Sequence, residues 1–188
     1  MDGPVVVQRV DYTSTHRCDL SQSMRIFSSW AVATTKLLEN LPFLRLAYIS
    51  GLASSNLKSN LRRHFGVAEN NRSERQRVLK RLISGYDDIL SRMGAGLGKV
   101  RCGGQHCGHN WYAYTFGNRR DNIIWLCGVQ FQDKPILDLA STWIHELSHN
   151  LLGTTDSQYY MYTGATTLGT NAALNEADCW GNFMVSYT

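Results

Sequence analysis

Trp143-Ile144-His145-Glu146-Leu147-Ser148-His149-Asn150-Leu151-Leu152-Gly153-Thr154-Thr155-Asp156 is the stretch from which the rest of the chain is read. Apolar residues at Ile136, Leu139, Ala140, Trp143, Ile144, Leu147 and Leu151 recur at helical spacing, and Gly153 suits the residue after a helix end. Pro135 opens that helix at a position where its missing N–H is no loss. His145 and His149 lie four residues apart, so both project from one helical face and are ligands to a single metal ion by geometry. Glu146 then stands beside the metal, where a carboxylate can move protons as a general base. Asp156, just past Gly153, is placed to supply a third ligand.

A His-Glu-x-x-His pattern also arises by chance on surface helices, where it is only a polar stripe. The flanking Trp143, Ile144, Leu147 and Leu151 read as partly buried instead. Two buried imidazoles and a carboxylate need a partner, and a metal supplies one. Hydrolytic zinc takes three protein ligands and keeps a fourth position for water.

Outward from this helix, a Gly/Thr/Tyr-rich loop leads to a final helix capped by Asn171 or Asn175, with Ala173, Leu174, Ala177, Trp180 and Phe183 or Met184 inward. Upstream, Lys99 to Cys102, Trp111 to Phe116 and Ile123 to Cys127 read as three short strands with turns at Gly103-Gly104 and Gly117-Asn118. The segment Asn71 to Met93 is amphipathic: Val78, Leu79, Leu82, Ile83, Tyr86, Ile89, Leu90 and Met93 form one stripe, and Gly94 and Gly96 end it. Ser54 to Phe65 is a short helix closed by Gly66. A longer helix starts at Asp19 or Ser21; Pro42 should break or kink it, with Leu44 to Ile49 beginning a second segment. Residues 5–13 are β-branched and partly alternating, which predicts a first strand.

The expected fold class is α+β: a mainly helical body (1–98), a small sheet of three to four strands (99–130) and two active-site helices (131–188), all in one domain spanning 1–188. No apolar run approaches the roughly 20 residues that span a bilayer, so no membrane partner is expected. Up to residue 130 there are 18 Lys and Arg against 9 Asp and Glu; from 131 onward Lys134 stands against Asp133, Asp138, Glu146, Asp156, Glu176 and Asp178. The catalytic third should attract cations even with a dication bound. Nucleic acid is not an expected partner, because the basic residues are scattered along helices without interleaved aromatics. Five cysteines suggest two disulfides and an oxidising destination, with one thiol left over. Met1-Asp2-Gly3-Pro4 lacks the pattern of a secretory signal, which leaves open a processed or excised domain.

The third ligand decides the class of site. Glu176 in Asn175-Glu176-Ala177 lies 27 residues past His149, farther than thermolysin-like enzymes place theirs. Gly153-Thr154-Thr155-Asp156-Ser157-Gln158-Tyr159 resembles the Gly-Thr-x-Asp-x-x-Tyr signature of the aspzincins, the deuterolysin and peptidyl-lysine metalloendopeptidase group. Residues 173–183 are similar to that family's closing Asn-Ala-Asp-x-Tyr-x-x-Phe element, with Glu176 inserted, and Ala113-Tyr114, Ile123 to Cys127 and Phe131 are similar to its strand region. The resemblance covers residues 102–183, and the first hundred only in outline.

It implies a zincin-like fold and a zinc-dependent endopeptidase acting on protein or peptide substrates, with one Zn²⁺ held by His145, His149 and Asp156. It further implies Glu146 as general base, Tyr159 as oxyanion donor and Asp178 at the substrate. The family's Gly after the Tyr is here Tyr160, so Tyr159 and Tyr160 both remain candidates. Lysine-specific members carry a second acid one turn beyond the first, and Gly181 and Asn182 offer none, so strict lysine specificity is not expected. The resemblance pairs Cys18 with Cys102 and Cys107 with Cys127 and leaves Cys179 free. A second, structural zinc in Cys102-Gly103-Gly104-Gln105-His106-Cys107-Gly108-His109 is the weaker reading, since the spacing matches no common closed site. The isolated His16 and His64 are read as surface or locally satisfied. A monomer, secreted or delivered outside the producing cell, is expected. Two alternatives stand: a metallopeptidase toxin or effector module of a larger secreted protein, and a non-catalytic zinc-stabilised binding domain.

Overall fold

The computed structural model describes residues 18–95, 100–104, 107, 112–115, 123–127, 132–156 and 168–187. Three helices come first: α1 (Leu20–Ser50), α2 (Ser55–Phe65) and α3 (Arg72–Gly94). Three short strands follow, β1 (Val100–Cys102), β2 (Ala113–Thr115) and β3 (Ile124–Leu126). Helices α4 (Ile136–Leu152), α5 (Thr170–Leu174) and α6 (Ala177–Ser186) are the last elements among the described residues. The expected strand at 5–13, Gly96 and the turn at Gly117-Asn118 lie outside the described residues.

The helix starts are set by local chemistry. Asp19 accepts from the Gln22 backbone N–H while Gln22 reaches back to the Asp19 N–H, so two otherwise orphaned donors are satisfied. Ser54 and Asn71 cap α2 and α3 in the simpler way, through Leu57 and Glu74 N–H. Pro42 does not break α1. The residue that would have received its N–H, Leu38, and Pro42 itself are on the solvent side, where water can serve the freed carbonyl.

The expected final helix is two. Between α5 and α6 the chain stops coiling at Asn175 and Glu176, because their backbone pairs with Thr155: Thr155 N–H donates to Asn175 O at 2.8 Å and Ala177 N–H to Thr155 O at 3.1 Å. Neither asparagine caps; Asn171 is inside α5 and Asn175 closes it. On α4, Leu151 is 37% exposed, and Leu152 takes its expected place against the core.

The sheet order is β1-β3-β2, with β1 parallel and β2 antiparallel to β3, so the strands consecutive in sequence, β1 and β2, are not neighbours. Disulfides Cys18–Cys102 and Cys107–Cys127 tie the start of α1 to β1 and the sheet to its own loop, and Cys179 is free and buried. With both Cys102 and Cys107 so engaged, the weaker reading of a zinc site there loses two of its ligands.

The core is aromatic where α4 and α6 cross their neighbours. Trp143 meets Trp30 edge to face at 5.3 Å, and its indole N–H donates to Ser29 Oγ at 2.8 Å. Trp180, fully buried, packs on Tyr86, whose hydroxyl donates to the Trp180 carbonyl at 2.9 Å. Gly181 lets α6 approach α4 closely, since a Cβ there would stand 2.6 Å from the Ser141 carbonyl oxygen. That approach sets the distance between the first turn of α6 and the histidine face of α4.

Candidate active site

Gly153 adopts φ 69°, the left-handed conformation that suits glycine, and turns the chain back over the last turn of α4. The Thr154 carbonyl thereby reaches His149 Nδ1 at 2.7 Å, and the Thr154 hydroxyl meets Ser148 Oγ at 2.7 Å. One residue later the Thr155 backbone is locked to Asn175 and Ala177 as described, and Asp156 follows at once. His145 and His149 come from one helix, whereas Asp156 is held in place by a pairing across 20 residues.

His145 Nε2 and His149 Nε2 lie 3.1 Å apart, and each is 3.2 Å from a different oxygen of Asp156. The three side chains offer ligand atoms within 4.8 Å of one another, the one such group among the described residues. The tautomers follow from the other ring nitrogens. A carbonyl only accepts, so His149 Nδ1 carries the hydrogen that Thr154 O receives. Asp178 Oδ1 stands 2.9 Å from His145 Nδ1 and fixes that ring in the same way. In their neutral form both rings then turn Nε2 lone pairs towards each other and towards a carboxylate. Three lone-pair donors converging on one point fit a cation, and two imidazoles with one carboxylate suit zinc.

The same convergence shapes the electrostatics. Burial opposes charge on His145, but Asp156 and Asp178 outweigh it and raise its pKa well above the usual value. His149 is likewise raised, burial being outweighed chiefly by Asp156. Burial works against Asp156 as an anion, yet hydrogen bonds from the two imidazoles pull its pKa strongly down. Glu146 is 3% exposed, and burial raises its pKa despite the two histidines. Its Oε2 is buried and has no hydrogen-bond partner among the described residues. An orphaned carboxylate oxygen next to a cation site is a place for a water molecule.

Of the residues expected at the site, His145, Glu146, His149 and Asp156 are brought together; Tyr159 and Tyr160 lie outside the described residues. Asp178, expected at the substrate, stands 2.9 Å from His145 Nδ1, because the close α4–α6 crossing delivers the first turn of α6 to that ring. Asn182 is turned onto Ser141 Oγ at 3.2 Å. Glu176 is buried and belongs to the backbone pairing with Thr155, outside the metal group. His64 is far from this centre: it is buried between α2 and α6, with Nε2 3.0 Å from Ser186 Oγ, and burial together with the Arg63 charge pushes its pKa down to about 4. His16 lies outside the described residues. Sequence reasoning missed the carbonyl of Thr154 and the orienting position of Asp178. The first had a signal, since a glycine closing a helix returns the next residue over its last turn; the second depends on a helix crossing.

Comparison with known proteins adds three findings. Residues 51–185 match the aspzincin family model, described as lysine-specific metallo-endopeptidase. A neutral protease 2 homolog from Aspergillus clavatus is 35% identical over 88 residues, which is 42% of this chain and 25% of that relative's length. A zinc peptidase from Grifola frondosa superposes with a TM-score of 0.69 at 23% identity, covering 90% of this chain and 97% of its own. The last similarity establishes the zincin-like fold, a helical body around a small sheet.

Proposed function

This chain belongs to the aspzincin family of metallo-endopeptidases, and from that premise we propose that it is a zinc-dependent endopeptidase cleaving protein or peptide substrates. One ion is held by His145, His149 and Asp156. The observation that carries this reading is the convergence of their three lone-pair donors beside the orphaned Glu146 oxygen.

Zinc, when bound, supplies Lewis acidity that brings the proton loss of a water towards neutral pH, to about 7 in well-studied sites. Glu146 receives that proton on its unpartnered Oε2 and delivers a proton to the leaving amine as the C–N bond breaks. Tyr159, or Tyr160 beside it, donates to the oxygen that becomes negative when the carbonyl is attacked. Asp178 acts through His145: its bond to Nδ1 keeps the ring in the tautomer and orientation that present Nε2.

The substrate lies extended beside β2, the edge strand whose Thr115 meets Asn150 of α4. Because Asp178 is occupied by His145 and Asn182 by Ser141, basic residues after the cleaved bond are favoured by the acidic surroundings without being required. The two disulfides fit an oxidising compartment, so the site of action is outside the producing cell.

The test is a casein digest with and without a chelator. Hydrolysis should vanish on chelation and return with added zinc; hydrolysis indifferent to the chelator, or none by a zinc-loaded chain, would overturn the reading.

A further inference from the structure

α1 has two apolar faces. One, centred on Ile26, Ala33, Leu37 and Leu44, is buried against α3 and α4. The other points away from the core: Leu20, Met24, Phe27, Leu38, Leu46 and Ile49 are 79%, 63%, 49%, 57%, 63% and 81% exposed. All six fall on one side of the helix at the 3.6-residue period. A helix apolar all round is one that is covered all round, and the described residues cover one side.

We propose that the outer face of α1 is the surface on which two copies of this chain associate, α1 against α1, antiparallel, about a two-fold axis at Thr34 and Thr35. The six side chains leave on the order of 700 Å² of apolar surface in one stripe. That exceeds the roughly 300–600 Å² largest patch of an ordinary monomer and approaches the ~800 Å² per partner of a stable interface.

The order of residues along the stripe identifies a second copy as the occupant. An isologous contact needs a surface that complements itself on reversal. With the axis between Thr34 and Thr35, Leu20 faces Ile49, Phe27 faces Pro42 and Ala31 faces Leu38, while Met24 lies along Arg45 and Leu46 meets Ser23. Bulky pairs meet at the ends and small residues occupy the crossing, where two backbones must approach most closely. The Thr34 hydroxyl donates to the Trp30 carbonyl of its own helix at 2.9 Å, so it needs no water at that crossing. Arg45, the cation within the stripe, is already paired with Asp87 of α3. A lipid surface is the poorer occupant, since membrane-surface helices carry rows of Lys and Arg beside the apolar face. Here Ser21, Ser28 and Glu39 stand there.

The sequence alone led us to expect a monomer, and this proposal departs from that. It uses no residue of the metal group, so it stands or falls apart from the peptidase reading.

Sedimentation velocity of the full chain between about 1 and 100 µM tests it. The expected result is a dimer that Phe27→Glu and Leu38→Glu each dissociate, weakening association at least ~10-fold with helical circular dichroism unchanged. Thr35→Cys should cross-link two chains on oxidation, and should not in the Leu38→Glu background. A wild-type chain that stays single throughout this range overturns the proposal. So does a dimer that survives Leu38→Glu, one that Thr35→Cys fails to cross-link, or a monomer that instead pellets with anionic phospholipid vesicles.

Discussion

α4 and the α5–α6 pair bring the metal group together in opposite ways. α4 runs 17 residues without interruption and presents two imidazoles one turn apart, an arrangement that any helix with this spacing produces. The closing segment is broken at Asn175 and Glu176, and the break does the positioning. Its exposed backbone grips Thr155, which sets Asp156, and the first turn beyond it delivers Asp178 to His145. A regular helix supplies ligands cheaply; a third ligand from a loop needs a partner elsewhere in the chain to hold it.

The largest effect tests the regular half. His149→Ala removes one of two imidazoles and should abolish zinc retention on dialysis and bring peptidase activity to background, with α4 still folded. Retention of stoichiometric zinc by this variant would show that the ion sits elsewhere.

The next effect tests the interrupted half. Asp178→Ala should weaken zinc binding by about 10–100-fold, the usual cost of losing the group that orients a ligand histidine. Asp178→Asn should lose less, because its amide oxygen still accepts from Nδ1–H. If both variants bound zinc as the wild type does and lost only affinity for substrate, Asp178 would be a substrate residue after all, and the contrast between the two halves would weaken.

A smaller effect on activity, though not on stability, is expected where α6 meets α2. His64 is held neutral, with its pKa lowered to about 4 from a usual value near 6.5. The unfolded chain therefore binds more protons between those values. The stabilisation from the neutral ring is complete above about pH 6.5 and is lost as pH falls towards 4, on the order of 3 kcal/mol in all. Thermal unfolding at pH 7 and pH 4.5 should show this fall in the wild type and a shallower one in His64→Leu. Equal slopes would remove His64 as its source. Because α6 also carries Asp178, zinc affinity should hold in His64→Leu at pH 7.

Much of this was legible in the sequence because it is local. Asp19, Ser54, Asn71, Pro135, Gly66 and Gly153 all mark helix ends where the structure has them, since capping depends on three or four neighbouring residues. The pair His145 and His149 was legible for the same reason. Long-range pairing was not. Nothing around Asn175 announces that its carbonyl will accept from Thr155, so a continuous helix was the natural reading. Pro42 was misread in the other direction: the rule against proline in helices holds where the freed carbonyl is buried in the fold, and here it lies on the outer face of α1. The sheet order was hidden because β1 pairs with β3 across an intervening strand. Asp178 was placed by family resemblance, which gives a position in sequence; its contact with His145 needed the helix crossing at Gly181.

The most direct test of the proposed chemistry is the zinc content and the turnover of Glu146→Gln, measured on one preparation. The side chain keeps its size but can no longer take a proton. The variant should retain one zinc per chain, as the wild type should, and hydrolyse casein at least about 10²-fold more slowly, the lower range for a positioned general base. Full zinc with undiminished hydrolysis would contradict the assignment of Glu146 as the proton carrier.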